Sequence, residues 1–570
     1  MLIYILIFVK RKIEFRTKKN YNGAVSKKII FFFILLALAI RLFPGPDKFI
    51  FTYDQARDAF ISRQIIENRD LKIIGPSTEV QGAHHGPLYY YFLSPFYSLS
   101  KGDPNMALIF TLLINILTLI PLTFLAQKLF KNKAITCLSL LLFALSFEQH
   151  SYARWLSNPS PAVFFLTIFQ LGLWLILIHP NHLWGWFLAA LGLTAAIHHQ
   201  LFLLFALPVA FSTILLLGKL PRTFKPYLVG GITLLAGFST FLIAELKFGF
   251  QATKGFFNLL INTTASQETA TEFLRAFLIR LSQVVMHNTL NINQPLGFTF
   301  FFFCLVIIVY FWKKLTKKDR LALSFLFILI FSQAILFLFS ETIAAFITIG
   351  MATPIIILTS FCLVSLFKRQ RFLALSLISL IILTNLNKII SQNRFTTPIF
   401  AIQENMTLEN EKKVIDACYR LTENQPFGIN TITNPLFINT TWAYLFQWYA
   451  QPKYHFLPVW TGISQEGNLG SEVFPQDKKE PEIQILIIEP TSGVPEIWVE
   501  AALKEENLHS EIEKEEKVDQ FVVQVRKRLS EEREEERLKE VSLLKNKNPD
   551  ALSPAEKAFL HAFDLRLQNH

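Results

Sequence analysis

Strongly apolar stretches of about 20 residues recur along the chain, each long enough to cross a bilayer core of roughly 30 Å as a helix. They lie at approximately 29–45, 105–126, 134–150, 161–178, 183–198, 200–217, 227–246, 296–312, 321–340, 345–366 and 371–387. A lipid core excludes unpaired backbone groups, so a chain of this kind folds as a bundle of about eleven transmembrane helices. A mean hydropathy of +0.37 over 570 residues, with 57 Phe, excludes a soluble globular protein.

A formal net charge of +12 raises the question of a nucleic-acid partner. The basic residues are not gathered on one soluble surface, however. They cluster before the first span, at Lys128/Lys131/Lys133, at Lys219/Arg222/Lys225, from Lys313 to Arg320, and at Lys368/Arg369/Arg371. Under this span count all the clusters fall on one face, which the excess of Lys and Arg makes cytoplasmic. No nucleic-acid partner is expected. The four cysteines, Cys137, Cys304, Cys362 and Cys418, have neither metal-site nor disulfide-framework spacing.

These assignments give a plasma-membrane, multi-pass topology with a cytoplasmic N-terminus. Residues 1–28 read as a basic cytosolic lead-in, 29–387 as the transmembrane domain with a first outer loop at 46–104, and 388–527 as a small extracytoplasmic α/β domain. In that last domain Ile483–Ile488 and Phe521–Val525 read as strands. Residues 528–570 form a charged helical tail, expected to be solvated.

Chemistry-bearing residues concentrate on the outer face. From Tyr53 to Asn68 the apolar positions fall near helical spacing, giving an amphipathic helix at the membrane surface on which Asp54 and Asp58 share a face, with Arg57 one step round. Such a carboxylate is placed to accept a proton from an acceptor hydroxyl. The same spacing also fits a plain surface pair between Asp54 and Arg57. His84 and His85 precede a Gly86-Pro87 turn and three tyrosines suited to a membrane interface. Adjacent histidines fit phosphate binding, metal ligation or simple solvation. Arg154, in the turn Tyr152–Pro159 that also holds Asn158, fits a phosphate clamp or a snorkelling interfacial cation. Lys247, two residues after Glu245, fits a phosphate contact or an interfacial anchor.

The order of these pieces resembles one group: a first span, an early loop Asp, a His-x-Pro-Leu-Tyr-Tyr turn, then an Ala-Arg-x-Leu-x-Asn turn opening the fourth span. That group is the GT-C superfamily of polyprenyl-phosphate-dependent glycosyltransferases, in particular its protein O-mannosyltransferase and aminoarabinose transferase branch. The likeness covers residues 29 to about 250 best. It implies a GT-C-like fold, with Asp54 (or its neighbour Asp58) as catalytic base. It further implies that His85 and Arg154 bind a polyprenyl-phosphate-linked sugar, and His84, Asn158 and Lys247 stand beside them as further binding candidates. Protein, lipid or glycan acceptors fit the family, and membrane lipid is the surrounding partner. Two departures stand out. Gln55 and Asn158 occupy positions where the family often carries acids, which weakens the case for a divalent metal and leaves the cofactor question open.

The resemblance implies an inverting transfer at the extracytoplasmic face. A transporter or flippase of a lipid-linked or anionic solute is the first alternative, and would want ionisable residues or broken helices within spans. A non-catalytic membrane scaffold is the second.

Overall fold

The computed structural model describes residues 25–265, 270–338, 344–392, 405–475 and 481–567. Most of the basic lead-in therefore lies outside the described residues. The chain divides into two compact units, one comprising residues 1–44, 71–92 and 108–391, the other 45–70, 93–107 and 392–570.

The first unit is helical throughout, and each span read from the sequence overlaps a helix. Among the described residues, four helices are long and apolar enough to cross a bilayer by themselves: Pro104–Phe130, Gln294–Lys314, Lys317–Phe337 and Arg371–Gln392. Two further pairs reach that length only together, Lys133–Leu145 with Phe147–Arg154, bent by 53°, and Lys225–Gly237 with Ser239–Lys247, bent by 49°. Shorter apolar helices such as Ala162–Ile178 and Ala352–Phe367 complete the bundle. The architecture is thus that of a multi-pass membrane protein, while the number eleven belongs to the sequence reading.

A helix broken among apolar neighbours must have its freed backbone groups received by something else. At the first bend, the Phe147 amide donates to Asn385 Oδ1 at 3.0 Å, and Ser146 Oγ accepts from the Gln149 amide at 3.1 Å while donating to Asn288 Oδ1 at 2.8 Å. Asn385 is fixed in turn by donating to the carbonyls of Thr289 and Ile381.

The second unit is built on a five-stranded sheet ordered β2-β1-β3-β5-β4. Its strands are β1 (Gly428–Ile432), β2 (Val459–Trp460), β3 (Ile483–Ile488), β4 (Ser510–Val518) and β5 (Phe521–Arg528). β1 runs parallel to β2 and β3, and β5 is antiparallel to both β3 and β4. Both strands expected from the sequence are present. Parallel pairing of β1 and β3 buries β1 on both faces, which its fully buried sequence GINTI reflects.

Residues 47–51 of the first loop belong to this unit by direct backbone pairing. The Phe51 amide donates to the Met406 carbonyl at 3.2 Å, Leu408 to Phe49 at 3.2 Å, and Glu409 to Asp47 at 3.0 Å. Lys412 grips the Asp47 carboxylate with both contacts at 2.9 Å.

The charged tail differs from expectation. Its helices Glu531–Lys545 and Pro554–Leu567 bury Val541, Leu544, Phe559 and Phe563 against Ala501 and Leu508. A polar clasp closes over them. Arg566 Nη1 reaches Glu505 at 3.0 Å and Glu506 at 3.1 Å, and His509 bridges Glu505 at 3.1 Å and Glu534 at 2.5 Å. The sparse apolar residues of the tail are enough for a core because they recur on single helix faces.

Phe559→Ala should therefore cost about 3–5 kcal/mol, as emptying a buried aromatic site does. Thermal unfolding of the purified chain checks this; a solvated tail would leave the midpoint unchanged. The clasp also sets a pH dependence. Burial opposes charging His509, but the carboxylates of Glu505 and Glu534 reverse this and hold it above the ordinary 6.5, while His509 holds Glu534 below 4.5. The histidine term is complete below about pH 6.5 and lost as pH rises through the raised value. The glutamate term is complete above about pH 4.5 and lost as pH falls through the lowered one. Amide protection factors over residues 531–567, corrected for intrinsic exchange at each pH, should be highest between those limits, and His509→Gln should remove the alkaline loss.

Candidate active site

The first-loop helix Tyr53–Glu67 begins at Thr52, whose amide and hydroxyl both donate to Gln55 Oε1, at 2.9 and 2.8 Å. Gln55 thus does a capping acid's work without its charge. Ala56, Ala59, Phe60 and Ile65 are buried, and Phe60 meets Tyr444 edge-on at 5.1 Å. The helix is packed within its unit by that face, so it is more than a surface amphipath.

On it, Arg57 bridges both aspartates. Its Nη1 lies 2.7 Å from Asp54, and its Nε and Nη2 lie 2.9 and 2.8 Å from Asp58. The two acids are not equivalent: the Asp54 side chain is 59% exposed, that of Asp58 only 2%. Asp54 also occupies the first helical turn, where the helix dipole favours negative charge. The plain pair read from spacing is real, and it is half of a three-residue bridge.

The other expected site residues belong to the helical unit. His84 and His85 sit on a hairpin-like ladder in which the Gly75 amide donates to the His85 carbonyl, and His85 to Pro76, each at 2.8 Å. A Cβ on Gly75 would meet the Gly86 carbonyl oxygen at 2.2 Å, and one on Gly86 would meet His198 Nδ1 at 2.0 Å. The Gly86 amide also donates to the His198 carbonyl at 3.0 Å, a bond no proline makes. The close approach requires glycine at this position, and the amide bond excludes proline.

His85 Nδ1 accepts from the Leu201 amide at 3.0 Å, so the neutral ring carries its proton on Nε2. Burial holds His84 below the usual histidine value, which keeps it neutral near pH 7. Both rings line a cavity of about 50 Å³ with Phe241, Glu245 and Gln251. It has room for about one or two waters and none for a sugar.

Asn158 donates to the His199 carbonyl at 2.7 Å, clamping the end of the helix Leu183–His199. The His199 ring packs against both Phe92 and Phe165, at 5.9 and 5.4 Å, and those two rings lie 6.1 Å from each other. His85, Asn158 and His199 are therefore brought together. Arg154 is 3% exposed, with Nη1 donating to the Arg41 carbonyl at 3.2 Å. Arg41 is buried too, bonding Asn115 and the carbonyls of Phe143 and Ala144. A buried network, rather than snorkelling, accounts for Arg154. Lys247 is exposed and lies 5.5 Å over the Phe248 ring, whereas Glu245 caps the next helix by accepting from Ala252 and Thr253.

One cluster was missed by the sequence reading. Glu148, fully buried, accepts from Asn288 at 2.6 Å, and Arg280 bonds Thr348, Gln283 and the Ala345 carbonyl that Tyr152 also reaches. An acid within the apolar run 134–150 was the available signal.

Among the described residues no group of three or more His, Cys, Asp or Glu gathers as a metal site. Gln55 and Asn158 contribute amides, already engaged with Thr52 and His199, where a metal centre would want carboxylates.

No family model matches the sequence, and neither does any curated protein. Solved structures do match. ArnT from Cupriavidus metallidurans bound to undecaprenyl phosphate superposes with a TM-score of 0.52 at 10% identity, over 88% of this chain and 98% of that one. Its apo state gives the same TM-score at 10% identity, over 87% and 97%. The Archaeoglobus fulgidus oligosaccharyltransferase in its apo form matches at TM-score 0.47 and 10% identity, over 73% of this chain and 63% of that one, too low to carry weight. At such identity the likeness shows the fold alone, and it is the fold of ArnT.

Proposed function

We propose that this chain is an inverting glycosyltransferase that moves a sugar from a polyprenyl-phosphate donor to an acceptor at the extracytoplasmic face of the plasma membrane. The observation that carries the reading is the fold shared, nearly end to end, with a transferase solved with undecaprenyl phosphate bound. The ordered motifs support it, since fold by itself leaves chemistry open.

In this reading Asp54 is the base. It is exposed and held at the start of a packed helix by Arg57, whereas Asp58 is buried and engaged by two guanidinium nitrogens. Asp58 therefore positions Arg57, which positions Asp54. Asp54 takes the acceptor's proton while its oxygen or nitrogen attacks the anomeric carbon from opposite the phosphate, and the C–O bond to the phosphate breaks with inversion. The leaving phosphate gains negative charge, which Arg154 and the Nε2–H of His85 would stabilise. His84 and Lys247 would contact the donor more peripherally, and Asn158 would act by fixing the His199 end of its helix. The N-terminus would be cytoplasmic. Acceptor classes compatible with the chemistry are protein, lipid or glycan hydroxyls and amines.

A second reading, transport of a lipid-linked or anionic solute, is favoured by one observation: a span bent by 53° with a buried glutamate just past the bend. Broken spans bearing ionisable groups are what transporters use.

One experiment separates the two. The chain is reconstituted in vesicles with a labelled polyprenyl-phosphate sugar, and label transfer and label translocation are both followed. Asp54→Asn should lower transfer by about 10²–10⁴-fold, the range for loss of a general base. Asp58→Asn should lower it less. Transfer at the wild-type rate in Asp54→Asn would remove it as base, and translocation without transfer would replace enzyme by transporter.

A further inference from the structure

Two basic turns of the helical unit are joined to each other, and the transfer chemistry uses neither. Residues 128–133, at the junction of the helices Leu119–Phe130 and Lys133–Leu145, read KLFKNK. Residues 313–320, at the junction of Gln294–Phe311 and Lys317–Phe331, read KKLTKKDR. Together they hold eight lysines and arginines and one acid. That acid, Asp319, caps its own helix, accepting from the Thr316 amide at 3.3 Å and the Thr316 hydroxyl at 2.8 Å. Among the described residues none of the eight cations forms an ion pair with a carboxylate.

The excess of Lys and Arg on one membrane face accounts for cations in each turn separately. It does not account for the turns being closed on one another. Lys318 Nζ donates to the Lys128 carbonyl at 2.7 Å, in the last turn of Leu119–Phe130, where free carbonyls and the helix dipole favour a cation. This bond gathers Lys128, Lys131 and Lys133 beside the basic run of the second turn. Like charges brought together repel, and an anion shared among them relieves the repulsion.

A second observation concerns what leads up to the lysines. Ile120, Phe124 and Lys128 follow at i,i+4, so they form one stripe, and all three are exposed. Val306, Tyr310 and Lys314, also exposed, repeat the order along Gln294–Phe311 and its 3₁₀ extension Trp312–Lys314. Each stripe is apolar and then ends in a lysine. Trp312 is exposed at the end of the second, with the Arg320 guanidinium 5.5 Å over its ring. An indole and cations at the end of an apolar helix mark the level of lipid headgroups.

We propose that the joined turns 128–133 and 313–320 bind an anionic glycerophospholipid, its phosphodiester among Lys128, Lys131, Lys314 and Lys317 and its acyl chains along the two stripes. Lysines bind phosphate as point charges, and basic pockets between spans take anionic headgroups. Charge selects the phosphate, and the stripes select a lipid over a free anion. The site stands apart from the proposed transfer reaction, and its failure would leave that reading untouched.

The test uses the full-length chain in a neutral detergent. The probe is dioleoyl-phosphatidylglycerol; dioleoyl-phosphatidylcholine serves as the lipid without net charge, and glycerol phosphate as a headgroup without chains. Phosphatidylglycerol should raise the midpoint of thermal unfolding saturably and persist as an adduct in native mass spectrometry, and the other two should do neither. Lys131 and Lys314 are exposed and their side chains make no hydrogen bond among the described residues, so Lys131→Gln/Lys314→Gln should keep the fold. It should weaken phosphatidylglycerol binding about 30-fold, at roughly fivefold for each cation near a headgroup. Lys219→Gln/Arg222→Gln, in a basic turn outside the pair, should leave it unchanged. Equal stabilisation by phosphatidylcholine, or no saturable effect of phosphatidylglycerol, would overturn the site. Glycerol phosphate acting as well as the lipid would make it a site for a free anion and overturn it too. Equal losses in the two double variants would leave only the diffuse attraction of a basic face, with no site.

Discussion

The amide of Phe147 lies where a helix breaks among buried side chains, and the Asn385 carboxamide is what receives it. Water is not available to do so, and a free amide there would cost several kcal/mol. Because Asn385 is itself pinned to Thr289 and Ile381, the bend is fixed by three stretches of chain that are far apart in sequence. The residues just beyond the bend depend on it. Glu148, Tyr152 and Arg154 lie on the short helix Phe147–Arg154, so its direction sets where each of them can reach. Ser146 and Asn288 tie the same bend to the helix that carries Arg280, and Asn288 then meets Glu148. A straight helix through residue 146 would dissolve this arrangement.

Much of the fold is legible in the sequence because its signals are local. Apolar runs of bilayer length mark the helices, and β-branched runs mark strands at 483–488 and 521–525, the second of which extends to Arg528. The apolar spacing places the first-loop helix at Tyr53 to Asn68 and it is found at Tyr53–Glu67, since the cap and that spacing lie in one window. What escapes is long-range. Glu148 and Arg280 are 132 residues apart, and nothing in either neighbourhood announces the other. The tail looks solvated because Glu, Lys and Arg dominate its composition. Its core comes from a few residues, Val541, Leu544, Phe559 and Phe563, whose partners Ala501 and Leu508 lie in a different segment.

The candidate site shows the same division. Residue types are readable, but their roles depend on partners. Asn158 holds a helix end, Glu245 caps a neighbouring helix, and Arg154 sits in a buried network with Arg41. The distinction between Asp54 and Asp58 is invisible at i,i+4 spacing, which puts both on one face. Packing separates them, because the helix buries the Asp58 side through Ala59 and Phe60 and leaves Asp54 at the exposed first turn.

Asp54 is reached through backbone that is itself tied down. Residues 47–51 lead into its helix while pairing with residues 406–409, and Lys412 closes the pairing on Asp47. A loop of this length would otherwise sample many conformations, and fixing each residue costs about 1–2 kcal/mol in backbone entropy. Catalysis by a positioned carboxylate requires that cost to be met before substrate arrives. The pairing with residues 406–409 meets it on one side, and the burial of Ala56, Ala59 and Phe60 on the other. The sheet unit thereby contains the start of the helix on which the proposed base stands.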